Sequence, residues 1–378
     1  MKMKQELILF TVTAAIFSGC GESPPEEVSV IETVEEVPVI PDSVAQWIEW
    51  AEESGDGLWE DGSHRFILKE SLVYGGQEIP PFFNVEGFDF KGDTLFVSDP
   101  ADQSLAAASL TTGEQIWKVG EQGGGPGHFN GICEIAAGSS RIAVCDMGNN
   151  RVSLLNFSGE FLTEISIQCP FDVMWKGDTL FVLSLAESKP LNMYNADGEF
   201  LDSCGELPEE LDMLAYSNRH LHGVVAPNGH VLVISRFLAG IWKIDPATGS
   251  TELFSEISFP QGEMVNDIAS GSFMVLSRDI FIGPDGMVNV ILPVFSENGG
   301  PLSDGSEMLK TTAVHRYNWD GEYLDSWVID GTVGVVLMHN GQLFSADRYA
   351  DGVVIDHGVI PLNRSAEHDM NDVRSQST

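Results

Sequence analysis

The sequence Lys-Gly-Asp-Thr-Leu-Phe-Val occupies residues 91–97 and is repeated without change at residues 176–182. Internal repetition with a period of about 40 residues is typical of propellers and solenoids. Lys-Gly-Asp favours a tight turn and Thr-Leu-Phe-Val favours a strand, so each copy predicts the second half of a β-hairpin. The repeat therefore predicts an all-β chain that is built from similar hairpins.

Hairpins of this kind occur six times in the chain. They cover residues 87–99, 132–146, 171–184, 223–236, 280–292 and 334–347. Most are followed by a second glycine turn, and two hairpins give the four antiparallel strands of one propeller blade. The sixth unit lacks a strand, which we expect the segment from Phe66 to Lys69 to supply, because closing the ring removes open sheet edges. The prediction is a six-bladed β-propeller of four-stranded antiparallel blades, with the last blade closed by an N-terminal strand.

The N-terminus has the features of an export signal. Lys2 and Lys4 precede an apolar stretch over residues 7–17 that is too short to span a bilayer as a stable helix. It ends in Phe17-Ser18-Gly19-Cys20, which resembles the bacterial lipobox. The resemblance implies lipidation at Cys20 and attachment to a membrane through this lipid. An ordinary secretory signal that is cleaved nearby is the alternative.

The region after Cys20 is rich in Glu, Val and Pro and predicts a flexible acidic tether. We expect a signal peptide over residues 1–19, the tether over 20–60, the propeller over 61–363 and a polar tail over 364–378. This layout predicts an extracytoplasmic, membrane-anchored lipoprotein, on the periplasmic or surface face and compatible with the outer membrane.

The charge of the chain excludes one class of partner. It has 57 acidic and 19 basic residues, a formal net charge of −38. Nucleic-acid binding needs a basic surface, so no nucleic-acid partner is expected.

One part of the chain carries a family resemblance. A glycine-rich stretch over residues 120–130 is followed, at residues 142–152, by a strand and then Asp146-Met147-Gly148-Asn149-Asn150-Arg151-Val152. This pattern resembles the NHL repeat, closely in the second unit and weakly elsewhere. Together with the lipobox, it makes the chain similar to six-bladed propeller lipoproteins of Bacteroidota-like bacteria. For Asp146, Asn149, Asn150 and Arg151 we favour a structural role within their own loop.

The two ends of the predicted ring differ in loop length. One end has tight glycine turns, whereas the other has the long segments 120–130, 205–221, 259–277 and 296–309. Insertions on one face of a repeat protein indicate the binding face. The residues expected at the channel mouth on this face are Glu86, Glu134, Asp172, His222, Arg236, Arg278, Asp279 and Arg348. Carboxylates, a histidine and arginines suit a polar ligand, so we favour a binding module for a peptide, glycan or protein partner.

A divalent-metal-dependent hydrolase or lactonase is the alternative. Glu86, Glu134, Asp172 and either Asn266 or Asp267 could bind Ca²⁺ or another divalent ion in the central channel. The sequence contains neither a Gly-x-Ser-x-Gly nor a His-Glu-x-x-His motif, so a non-catalytic role is favoured.

Four cysteines follow Cys20, and their state is open. They are Cys133, Cys145, Cys169 and Cys204. Cys133 and Cys145 flank a turn and could face each other across a hairpin, but free buried thiols are equally compatible with the pattern.

Overall fold

The computed structural model describes ten stretches of the chain. These are residues 65–67, 70–72, 85–212, 220–258, 276–283, 286–293, 311–330, 335–339, 342–346 and 355–359. The expected signal peptide, tether and C-terminal tail lie outside these stretches. Strands predominate, accompanied by a 3-10 turn at Met147–Asn149 and one short helix, α1 (Glu209–Asp212).

The strands form six sheets, numbered here in chain order. Two short strands come first, β1 (Arg65–Ile67) and β2 (Glu70–Leu72). Sheet 1 contains β3 (Gly87–Lys91), β4 (Thr94–Asp99), β5 (Ser104–Ser109) and β6 (Gln115–Val119). Sheet 2 contains β7 (Ile132–Ala137), β8 (Ile142–Asp146), β9 (Arg151–Leu155) and β10 (Phe161–Ser166). Sheet 3 contains β11 (Pro170–Lys176), β12 (Thr179–Ser184), β13 (Leu191–Asn195) and β14 (Phe200–Cys204).

The second half of the chain continues the same pattern. Sheet 4 contains β15 (Leu221–Val225), β16 (Val231–Ser235), β17 (Gly240–Ile244) and β18 (Thr251–Glu256). Sheet 5 contains β19 (Asp279–Ile282), β20 (Val288–Pro293), β21 (Thr311–Tyr317) and β22 (Tyr323–Asp330), with β1 added beside β22. Sheet 6 contains β23 (Val335–His339), β24 (Gln342–Ala346) and β25 (Ile355–Val359), with β2 added beside β25.

Consecutive strands pair antiparallel within every sheet, which confirms an all-β propeller of four-stranded antiparallel blades. Two details of the expectation are wrong. Five of the sheets have four strands, but sheet 5 has a fifth strand because β1 pairs with β22 in parallel. Phe66 and Ile67 lie in that strand, whereas the N-terminal strand beside β25 is β2 (Glu70–Leu72). The adjacent strands β1 and β2 therefore pair with different sheets. Each is only three residues long, which is too short for a sequence pattern to predict two strands here.

The apolar core lies between the sheets. The second strands are buried along their length, as in β8 and β16, because each sheet is covered on both sides. The outer strands are more exposed, as in β6, β14 and β18, and β10 exposes every second residue. The first strands β3, β7, β11, β15, β19 and β23 contact one another in this order, and β23 in turn contacts β3. These first strands surround the central channel.

The repeated Lys-Gly-Asp turns join neighbouring sheets. Gly92 and Gly177 have φ of +59° and +60°, the left-handed conformation that glycine adopts without strain. The Lys91 ammonium donates a hydrogen bond to the Gly138 carbonyl of sheet 2 at 2.8 Å. Lys176 in the second copy donates in the same way to Pro227, in the turn between β15 and β16 of sheet 4, at 3.0 Å. The residues that are identical in the two copies therefore have a structural role in joining neighbouring sheets.

The second turns share a further device. Asn156, Asn195 and Asn318 each accept backbone N–H bonds from the residues two and four positions later. Each asparagine also donates its amide to the glutamate four positions on. Side-chain bonds of this kind hold tight turns in place, which explains why these connections stay short in sheets 2, 3 and 5.

Candidate functional site

β-Bulges at the start of two first strands turn acidic side chains toward the channel. In sheet 2, Cys133 and Glu134 together oppose Cys145, because Ile132 pairs with Asp146 and Ile135 with Val144. A bulge of this type redirects a side chain and is frequent beside functional sites.

Sheet 3 has the same irregularity at the equivalent place. Pro170 pairs with Ser184 and Asp172 with Leu183, so Phe171 and Asp172 together oppose Leu183. Asp172 of sheet 3 therefore takes the position that Glu134 takes in sheet 2. Both carboxylates lie near the start of the first strand, at the end of the channel where the long loops were expected.

The channel encloses a cavity of about 320 Å³. Five of the first strands contribute side chains to it, from β3 to β19. Four of the eight predicted site residues line the cavity, namely Glu134, Asp172, His222 and Asp279. Glu134, His222 and Asp279 each lie three residues before the end of their strand and Asp172 lies four before, so the four side chains start at a similar height in the channel. We call these four residues the polar layer.

A contact within the polar layer links sheets 2 and 4, which lie on either side of sheet 3. The Nδ1 atom of His222 lies 3.8 Å from Oε1 of Glu134. His222 is buried, and its ring packs edge-on against Phe171 at 5.3 Å between centroids. Gly87 holds the corresponding position in sheet 1, and a Cβ atom there would lie 2.5 Å from Oε2 of Glu134. Glycine in sheet 1 thus leaves room for the Glu134 carboxylate.

Asp172 is held across the seam between two sheets. Its Oδ2 accepts a hydrogen bond of 2.8 Å from the backbone N–H of Gly223 in β15, and its Oδ1 accepts one of 2.7 Å from the Val173 N–H. Burial raises the pKa of Asp172 to about 7, the hydrogen bond from Gly223 opposes this, and the Asp279 charge adds to it. The carboxyl group therefore changes protonation near neutral pH.

Asp89 is a cavity residue that the sequence reasoning missed. Its Oδ2 accepts a hydrogen bond of 2.6 Å from the Ala137 N–H of sheet 2. Asp89 therefore bonds across the seam between sheets 1 and 2 in the same way as Asp172 bonds between sheets 3 and 4. Burial raises the pKa of Asp89 to about 6, against the effect of the Ala137 bond. The available signal was an acidic residue between Phe88 and Phe90, inside a strand whose other residues are mostly apolar.

The rest of the cavity wall is mainly apolar. It consists of Phe88, Ile135, Ala136, Val173, Met174, Trp175, Gly223, Val224, Val225, Ile280, Phe281 and Ile282. Trp175 and Val225 lie near the tight-turn end of their strands, so the apolar wall extends toward that end, where Asp89 is an acidic lining residue. A cavity with a few polar groups on an apolar wall has the composition of a small-ligand site.

The other predicted site residues lie away from the cavity wall or outside the described stretches. Glu86 precedes β3 and donates its backbone N–H to the Ser98 carbonyl at 3.3 Å. Arg236 follows β16, where its carbonyl accepts the Leu276 N–H at 2.6 Å. Arg278 is half-buried just before β19, and Arg348 lies outside the described residues. A ligand-binding role for these four residues stays a prediction.

The predicted divalent-metal site in the central channel can be tested only within the described residues. Within the stretches that the structure describes, no group of three or more His, Cys, Asp or Glu side chains has a geometry that could hold a metal ion. Asn266 and Asp267 lie outside these stretches, so their part in a Ca²⁺ site stays a prediction. The four cysteines are free thiols, with Cys133, Cys145 and Cys204 buried.

The NHL-like loop forms a closed structural network. Arg151 Nε donates to Asp146 Oδ2 at 2.9 Å, and its other nitrogens donate to Glu164 and to the Gly124, Gly125 and His128 carbonyls. The Asp146 carboxylate also accepts the Asn130 N–H and the Asn149 amide. Asp146 is fully buried and Arg151 is 5% exposed, which supports a structural role in holding the linker between sheets 1 and 2.

Comparisons with known proteins support the fold. No protein-family model matches the sequence, and no curated protein is significantly similar to it. A solved DUF4221-family protein from Bacteroides vulgatus has a TM-score of 0.52 at 9% identity, over 77% of this chain and 97% of that chain. A Bacteroides fragilis protein named as exported has a TM-score of 0.52 at 10% identity, over 77% and 94%.

A third similar structure is virginiamycin B lyase from Staphylococcus aureus, with a TM-score of 0.50 at 9% identity over 77% of this chain and 99% of that chain. Within the part of the chain that the structure describes, no helix has the length and apolar character of a membrane span. Because the sequence identities are only 9–10%, the similarity to these structures concerns the architecture alone. The resemblance to the NHL repeat remains limited to residues 120–130 and 142–152. The strand topology and the structural neighbours together make this chain a β-propeller protein.

Proposed function

We propose that this protein is a cell-envelope lipoprotein whose propeller binds a peptide, glycan or protein partner through the channel cavity and its long-loop mouth. The observation that carries the proposal is the convergence of Glu134, Asp172, His222 and Asp279 at one level of a 320 Å³ cavity. Four sheets each contribute one of these side chains. Convergence from separate chain segments on one cavity is the usual construction of a ligand site.

The chemistry of the cavity narrows the bound group. Carboxylates that accept hydrogen bonds favour a donor such as a hydroxyl, an amide N–H or an ammonium group. The apolar wall beyond the polar layer, including Met174 and Phe281, suits a nonpolar part of the same ligand. A sugar ring or a peptide residue carries both kinds of surface.

The ring closure belongs to the same proposal. We infer that the six sheets are six blades of one ring and that β2 completes the last blade beside β25. The antiparallel pairing of Glu70 with His357 and the contact between β23 and β3 support this closure. The ring fixes the positions of the first strands, on which the cavity depends.

The membrane anchor rests on the sequence alone. The basic start, the short apolar stretch and Phe17-Ser18-Gly19-Cys20 support lipidation of Cys20. Mass spectrometry of protein extracted from the producing cells is expected to show a lipid-modified Cys20 at the N-terminus. The Cys20→Ser variant should be released from the membrane fraction. A membrane-bound Cys20→Ser protein, or an unmodified Cys20, would argue against the anchor.

A ligand screen tests the binding function. The purified protein is heated with a panel of neutral sugars, amino sugars and short peptides, and the unfolding temperature is recorded. We expect at least one compound to raise it for the wild type but not for the Asp172→Asn/Asp279→Asn double variant. The Asp320→Asn variant is a matched control, because it removes an exposed charge from a turn between strands of sheet 5. Compounds that stabilise the double variant equally well would place binding elsewhere.

A further inference from the structure

We infer that Cys133 and Cys145 are a redox-responsive pair that can close to a disulfide across the β7–β8 hairpin. The two residues oppose each other at the bulge of sheet 2, where Cys133 and Glu134 share Cys145 as their partner. The inference does not depend on the ligand proposed above, but it rests on the proposed location of the protein outside the cytosol.

The contacts of the two thiols support this pairing. The Cys133 thiol lies 3.7 Å from the Cys145 carbonyl oxygen and 3.8 Å from that of Pro170. Cys133 and Cys145 pack in one apolar cluster together with Val152 and Val173. Burial raises the pKa of the Cys145 thiol well above its ordinary value, and the neighbouring Cys133 thiol raises it further. Two adjacent thiols in the reduced form are thus held side by side on paired strands.

The remaining cysteines do not offer the same arrangement. Cys169 precedes β11, where it contacts the Asn150 side chain. Cys204 ends β14, and it is placed in the apolar cluster of sheets 3 and 4 together with Leu191. Among the four cysteines, the cross-strand position is therefore specific to Cys133 and Cys145.

The chemical step needs a disulfide as oxidant. One thiolate attacks a sulfur of the oxidant, and the second then displaces the oxidant's remaining thiol. The two S–H bonds and the S–S bond of the oxidant are broken, and the Cys133–Cys145 bond and two oxidant thiols are formed. The cysteines lose two electrons and two protons, both of which the oxidant accepts. Disulfides are available as oxidants outside the reducing cytosol.

The position of the pair links its state to the cavity. Glu134 is the other residue of the bulge, and its carboxylate lies 3.8 Å from His222. A bond at Cys133 would fix the bulge that directs Glu134 into the cavity. Oxidation is therefore expected to change the geometry of the polar layer as well as the thiol count.

The experiment measures the pair directly. The full-length protein is unfolded in urea, refolded in a buffer of oxidised and reduced glutathione, and alkylated in denaturant before non-reducing peptide mapping. Refolding gives the oxidant access to thiols that are buried in the native state. We expect a peptide pair joined through Cys133 and Cys145, lighter by two hydrogens than the reduced pair, and reduced again by dithiothreitol.

Variants and a second measurement separate this result from nonspecific oxidation. The Cys145→Ala variant should lose the crosslink, whereas the Cys204→Ala variant should keep it. In the oxidised wild type, backbone hydrogen exchange should slow in β7–β8 and stay unchanged in the equivalent β15–β16 hairpin. Natively folded protein in which Cys133 and Cys145 are both alkylated, or are crosslinked to other cysteines, would overturn the inference.

Discussion

The Asp172 carboxylate accepts a hydrogen bond of 2.8 Å from the Gly223 backbone N–H, across the seam between sheets 3 and 4. Asp89 makes the equivalent bond of 2.6 Å to Ala137 between sheets 1 and 2. Both carboxyl groups lie in the channel cavity. The same atoms therefore hold neighbouring sheets together and determine the charge that a ligand would meet.

The stability of the protein should depend on pH through these two groups. Burial raises the pKa of Asp172 from 3.8 to about 7 and that of Asp89 to about 6. A raised folded-state pKa stabilises the fold fully below about pH 4, and this contribution is lost as the pH rises through 6 and 7. We expect the midpoint of urea unfolding to fall between pH 5 and pH 8. A midpoint that rises over this range would contradict the assignment.

Removing the Asp172 charge should weaken this pH dependence. The rise in the pKa of Asp172 from 3.8 to about 7 means that its ionisation at pH 8 lowers the free energy of unfolding by at most about 4 kcal/mol. The Asp172→Asn variant avoids this cost but loses one hydrogen bond, so its expected gain is about 3 kcal/mol. We expect Asp172→Asn to be more stable than wild type at pH 8 and nearly equal at pH 5. The Asp320→Asn control should change little at either pH, since it removes an exposed charge. Equal shifts for both variants would indicate a general charge effect.

The Arg151 network should behave as a buried ion pair. Arg151→Ala would leave the fully buried Asp146 carboxylate without its cation, a change that costs about 3–5 kcal/mol. Arg141→Ala removes a surface pair with Asp197 and should cost less than about 1 kcal/mol. Urea unfolding of the two variants measures this difference. Similar small losses would mean that Arg151 is not a structural residue.

The repeated lysines should contribute modestly to the scaffold. Lys91→Ala and Lys176→Ala each remove a hydrogen bond between sheets, worth about 0.5–1.5 kcal/mol. Because the sites are far apart in the ring, the double variant should show the sum of the two losses. Lys243→Ala is the control, since Lys243 pairs with Glu252 inside one sheet. Ligand binding should be unchanged in the two single variants and in their double variant, and a loss of binding there would place function on the tight-turn face.

The Lys-Gly-Asp turn should tolerate asparagine better than alanine. An added Cβ atom at Gly177 would have no neighbour within 4 Å, so the effect comes from its φ of +60°. Alanine in this conformation costs about 1–2 kcal/mol, whereas asparagine adopts it more readily. We therefore expect Gly177→Asn to unfold at a higher urea concentration than Gly177→Ala. The reverse order would contradict a conformational cause.

Turn chemistry made much of the fold predictable. The glycine turns and the apolar strands after them indicated the hairpins, and the NHL-like letters placed the linker held by Arg151. The exact position of the N-terminal strands was not predictable, since β1 and β2 are three residues each and neither has a recognisable pattern. Their pairing depends on contacts with β22 and β25, which are distant in sequence.

The candidate site was predictable in part. Polar residues that begin the first strands were identified, and four of the eight line the cavity. Asp89 was missed because the prediction took polar residues at the long-loop mouth, whereas Asp89 lies two residues before the tight-turn end of β3. The bulges at Glu134 and Asp172 could not be predicted either, because a bulge depends on the register between two strands and not on the sequence of one strand alone.

Methyl NMR tests the central claim that the channel cavity is the binding site. The protein is labelled at isoleucine, leucine and valine methyl groups and titrated with the panel of sugars and short peptides. We predict that a binding compound shifts the methyl signals of Ile135, Val224 and Ile280 in the cavity, with no change at Ile116 and Leu162 on the outer strands. Shifts confined to the outer strands, or no shift with any compound of the panel, would contradict the account.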